Sequence, residues 1–84
     1  MSASGTYTYS IVVEPEPRAG GYAVSVPALP GCLTAGETIG ECVANAQDAI
    51  ALYLRDVIAA GERVPEERIP PRVLSVTVDE PRDM

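Results

Sequence analysis

The 84 residues and 8.8 kDa hold one small domain and exclude a two-domain enzyme. Six basic residues, all Arg, stand against twelve Asp and Glu for a net charge of −6, which argues against binding phosphate backbones by counterion release. With no His, the usual general base and the commonest metal ligand are missing, and with them most hydrolase triads and zinc sites.

Tyr7, Tyr9, Ile11 and Val13 alternate with Thr8, Ser10 and Val12, the period of a strand with one buried face. Pro15, Pro17, Gly20 and Gly21 end that strand and turn the chain back. Tyr22, Val24 and Val26 alternate with Ala23 and Ser25 in a second strand, which Pro27 stops because it has no N–H to donate. Pro30 and Gly31 suit the central positions of a type II turn, whose second residue needs a positive φ. Residues 32–35 read as a short third strand.

Thr38 as N-cap, with Glu41 three residues on to close a capping box, predicts a helix from about Ile39. At about 100° per residue, Ile39, Val43, Ala46, Ile50, Tyr53, Leu54 and Val57 share one stripe, opposite Glu41, Asp48 and Arg55. That stripe is expected to pack on the sheet. Gly61 as the residue after the C-cap, with Pro65 beyond it, ends the helix near Ala60. Leu74, Val76 and Val78 then alternate with Val73, Ser75 and Thr77, predicting a fourth strand over residues 72–78. The order is β-β-β-α-β, an α+β class with one helix on a small, mostly antiparallel sheet. Residues 1–84 form one domain, with its core at about 6–78 and short flexible tails at both ends.

Cys32 and Cys42 form no CxxC pair and read as reduced, buried structural cysteines without a disulfide. The longest apolar run, residues 49–54, is far short of the ~20 residues that cross a bilayer. The first six residues lack both the basic and the apolar region of a signal peptide. A cytoplasmic protein is expected, without a membrane partner. A domain this small buries only roughly 60–65% of its unfolded surface, so a homo-oligomer, a dimer or tetramer, is expected too.

The segments Tyr22-Ala23-Val24-Ser25-Val26-Pro27-Ala28-Leu29-Pro30-Gly31-Cys32, Thr34-Ala35-Gly36-Glu37-Thr38 and Glu41-Cys42-Val43-Ala44-Asn45-Ala46, with Ala49-Ile50, resemble the HicB antitoxin family over about residues 7–65. Its pattern is a Gly-Tyr strand, a Pro-x-Leu-Pro-Gly-Cys turn, a Gly-Asp/Glu-Thr helix start and an Asn-Ala-x-x-Ala-Ile helix. The resemblance implies a partial RNase H-like fold, which agrees with the element order read from the residues. It also implies an antitoxin that binds and neutralises a small basic mRNA-cleaving toxin, HicA-like, by protein–protein contact. Neither enzymatic activity nor a cofactor is implied. Longer HicB proteins carry a C-terminal DNA-binding module, for which this chain, stopping at Met84, has no room, so autoregulation of transcription is not carried over.

The matched residues Gly21, Tyr22, Pro27, Leu29, Pro30, Gly31, Cys32, Gly36, Thr38, Asn45 and Ala46 have structural explanations in turns, caps and core. An RNase H-like fold invites a metal-dependent nuclease reading through Glu14, Glu41 and Asp48, but these carboxylates do not converge in the predicted elements. Leu52 falls on the wet side of the helix beside Arg55, with small Ala44, Ala51 and Ala59 around it, a flank able to accept a partner. Leu52 and Arg55, with Leu74 and Val76 of the fourth strand, are the candidate interface. A solitary homo-oligomeric regulatory or ligand-binding module without a toxin is the alternative to the antitoxin.

Overall fold

The hairpin at the N-terminal end organises the sheet. In the computed structural model, which describes residues 5–81, β1 (Val12–Pro15) runs antiparallel to β2 (Tyr22–Ser25), and β2 runs antiparallel to β3 (Leu33–Gly36). The strand order is β1-β2-β3, and α1 (Ile39–Ala59) follows. The expected α+β arrangement, a helix on a small antiparallel sheet, is the one observed. Residues 1–4 and 82–84, which include the ends of the expected flexible tails, lie outside the described residues.

Short-range chemistry sets each reversal. The Glu16 N–H donates to the Gly21 carbonyl at 3.0 Å and the Gly20 N–H to the Glu16 carbonyl at 2.9 Å, closing the first hairpin. Between β2 and β3 two turns follow one another: the Leu29 N–H donates to the Val26 carbonyl at 2.9 Å, and the Cys32 N–H to the Leu29 carbonyl at 3.0 Å. Pro30 and Gly31 are the central residues of the second, and Gly31 has a φ of +85°, as a type II turn requires. This knuckle presses Leu29 into the interior, where it is fully buried.

The helix starts and stops where the residues dictate. Thr38 Oγ1 accepts the Glu41 N–H at 3.1 Å, and Glu41 Oε1 accepts the Glu37 N–H at 2.9 Å, so the carboxylate reaches one residue beyond the N-cap. At the other end the Glu62 N–H donates to Val57 and the Gly61 N–H to Ile58, both at 3.0 Å, the paired bonds of a Schellman motif around a left-handed Gly61.

The helix lies over β2 and β3. Val24, Cys42 and Ala46 form one buried cluster, flanked by Ile11, Val13 and Tyr22. Val26, Leu29 and Cys32 form the other, closed by Tyr9, Ile11, Ala49, Ile50, Tyr53 and Leu54. Cys32 and Cys42 are free and buried.

Three expectations need correction. The predicted fourth strand does not form: residues 72–78 have no ladder partner, and Leu74 and Val76 are 76% and 85% exposed, so Leu74 is not part of the sheet's apolar face. The first ladder starts at Val12 rather than Tyr7. The pairing of Val12 with Ser25 would, continued, set Ser10 opposite Pro27, which cannot donate, while the Ser10 N–H is already given to the Glu67 carboxylate. Finally, the buried stripe of α1 is turned toward Cys42, Ala46 and Ala49, leaving Ile39 and Val43 exposed, because the helix rests mainly over β3 and, less, over β2.

Candidate interaction surfaces

The matched motif residues form the joint between sheet and helix. Gly36 ends β3 where the first turn of α1 crosses it. A Cβ there would lie 2.8 Å from the Cys42 nitrogen and 3.0 Å from its Sγ. Gly21, just before β2, lies against Gly36, the ladder partner of Tyr22, and a Cβ on it would stand 2.6 Å from the Gly36 carbonyl oxygen. Asn45 Nδ2 donates to the Ala35 carbonyl at 2.7 Å, tying the second turn of the helix to β3. Tyr53 hydroxyl donates to the Pro30 carbonyl at 3.1 Å, tying the fourth turn to the knuckle. Tyr22 packs against the Val24, Cys42 and Ala46 cluster, and Pro27 opens the first turn of the knuckle.

The two thiols offer little chemistry. Burial pushes the Cys32 thiol above its ordinary value, away from the reactive thiolate. Glu14 and Asp48 are exposed, and Glu41 is committed to its cap. Among the described residues no three of His, Cys, Asp and Glu come together in a group able to hold a metal ion.

What the geometry offers is surface. On the β3 side of the helix a shallow hollow of about 220 Å³ is lined by Cys32, Leu33, Ala49, Leu52, Tyr53 and Asp56. Leu52 is 57% exposed and Leu33 69%. Leu33 was missed in the sequence because a four-residue strand does not show which of its faces will be covered. On the β1 side a groove of about 550 Å³ runs between residues 7–11 and the helix flank of Val43, Ile50 and Leu54. Arg55 stays on the exposed side of the helix, while Leu74 and Val76 stand on the extended C-terminal segment, away from both surfaces.

The described residues thus present a mostly acidic outer helix face and two open apolar hollows. The model of the HicB-like antitoxin family of bacterial toxin-antitoxin systems matches residues 9–80. A UPF0150 protein of Synechocystis sp. is 38% identical over 72 residues, covering 86% of this chain and 90% of that one. A UPF0150 protein of Thermoplasma acidophilum is 36% identical over 59 residues, covering 70% of this chain and 84% of that one. An uncharacterised 14.9 kDa protein of Haemophilus phage HP1 is 41% identical over 46 residues, 55% of this chain and 35% of its own. The chain belongs to the HicB-like antitoxin family, a prokaryotic family whose general role is that of an antitoxin. Among the described residues no helix is long and apolar enough to cross a membrane.

Proposed function

We propose that the chain neutralises a small, basic, HicA-like mRNA-cleaving toxin in the cytoplasm by covering it through direct protein–protein contact, without enzymatic activity of its own. The observation that carries this reading is the composition of the exposed helix face. Glu41, Asp48, Leu52, Arg55 and Asp56, at i, i+7, i+11, i+14 and i+15, lie along one stripe of α1 facing away from the sheet, three carboxylates to one guanidinium. Leu52 and Asp56 also line the hollow that Leu33 and Tyr53 complete. An apolar anchor among carboxylates suits a basic partner: charge speeds the encounter, and the buried leucine slows dissociation. The net charge of −6 acts in the same direction and keeps the chain off phosphate backbones.

The test is co-expression with a small, basic, HicA-like protein. Rescue of growth and co-purification of the two chains are expected. Reversing Asp48 and Asp56 to Arg should lower the association rate by about tenfold at low salt, and Leu52→Glu should raise the dissociation rate. If no basic partner co-purifies and growth is not rescued, the antitoxin reading gives way to a solitary homo-oligomeric module, which the apolar groove beside β1 favours.

A further inference from the structure

The C-terminal segment and the open side of the sheet are complementary, and they do not meet within one chain. Residues 72–78 carry Val73, Leu74, Val76 and Val78, from 76% to 92% exposed, in the alternating pattern of a half-buried strand. A compact chain of this length has a radius of gyration of about 12 Å. This one has 17.0 Å and a longest dimension of 63 Å. Its accessible surface is 6956 Å², against about 4,800 Å² for a folded monomer of its mass.

The arm leaves the body at a defined place. Tyr9 hydroxyl donates to the Pro65 carbonyl, and Glu67 accepts from the Ser10 N–H at 2.7 Å and from the Ser10 hydroxyl at 2.6 Å. These bonds fasten the connection beside the start of β1. Pro70 and Pro71 follow; their fixed φ and missing N–H groups favour an extended path and give the sheet nothing to pair with. Meanwhile β1 has a strand on one side only, and the groove between residues 7–11 and the helix flank lies open beside it.

We propose that two copies of this chain exchange arms: residues 72–78 of each lie along the free edge of β1 of the other, with Leu74, Val76 and Val78 seated in the groove lined by Tyr7, Tyr9, Ile11, Val43, Ile50 and Leu54. A second copy is the occupant because it alone brings a strand already shaped for the groove, and because a short proline-stiffened hinge favours exchange over folding back. The arrangement supplies the fourth strand predicted for the chain, from a partner. It also covers Val43, which the single chain leaves half exposed.

The oligomeric state and one cross-link test this. Light scattering at tens of micromolar should give twice the 8.8 kDa chain mass, and Val76→Asp should give the single chain mass with unchanged helical circular dichroism, since Val76 touches nothing in the monomer's core. A chain carrying both Leu74→Cys and Gln47→Cys, mildly oxidised, should run as a covalent dimer, because Gln47 lines the groove and is exposed. A wild-type chain of single mass, a Val76→Asp chain that stays dimeric, or a disulfide closed within one chain would each overturn the exchange.

Discussion

The block from β2 through α1 and the arm at residues 72–78 carry the same kind of alternating apolar sequence, yet one is buried and the other is bare. The difference lies in how far each must reach for a partner. β2 finds β3 through a turn of seven residues, and β3 finds α1 through two. Loops that short cost little closure entropy, and their geometry is written in Pro30, Gly31 and Thr38. The arm is separated from β1 by the whole helix and its connection, and its own prolines carry it past the site. An alternating run therefore marks a segment able to pair but not whether, or where, it finds its partner.

The sharpest way to break that contrast is to damage the block. Leu29→Ala should cost about 2–5 kcal/mol, a large share of the stability of so small a domain, read as a fall in the denaturation midpoint. Gly36→Ala forces a Cβ against the Cys42 backbone, which a flexible side chain could avoid and a helix nitrogen cannot; a loss of about 1–3 kcal/mol is expected in the same measurement. Thr38→Ala should cost about 1 kcal/mol through the lost cap. Val76→Asp should leave the stability of the single chain within about 0.5 kcal/mol, since it is solvent-exposed there.

The block was legible in the sequence wherever a local rule governed it. Pro30-Gly31 suited a type II turn, Thr38 with Glu41 suited the opening of a helix, and Gly61 suited its end. Ile39 and Val43 were placed in the core because an apolar stripe reports that a helix has a buried side, not where its neighbours stop. The helix rests over β2 and β3, so those two positions overhang. Residues 7–11 read as a strand by period, and Pro27, some sixteen residues away, prevents it. On the candidate surfaces Leu52 was legible as an apolar residue on a wet face, whereas Leu33 needed the sheet's orientation to be noticed. The carboxylates of the helix were legible as a charge and not as a site, and the structure leaves them spread along an open face.

A smaller effect separates the block from the arm by pH. Burial holds the Cys32 thiol above its ordinary value, and burial first, then the nearby Tyr7 and Glu66, does the same for the Tyr9 phenol. Both shifts favour the neutral group in the folded state. Their stabilisation is whole below the unfolded-state values and is lost as pH rises through the folded ones. The melting temperature should therefore decline from about pH 9 for the thiol and about pH 10 for the phenol. Cys32→Ser should remove the first part of the decline and leave the second.

Amide hydrogen exchange across a dilution series tests the contrast most directly. The amides of β2 and α1 should be protected at every concentration, while those of residues 72–78 should be protected only where the dimer is populated and should exchange freely once the chain is dilute enough to be single. Arm amides that stay protected in the dilute chain would show that the arm pairs on its own sheet, and would contradict the account.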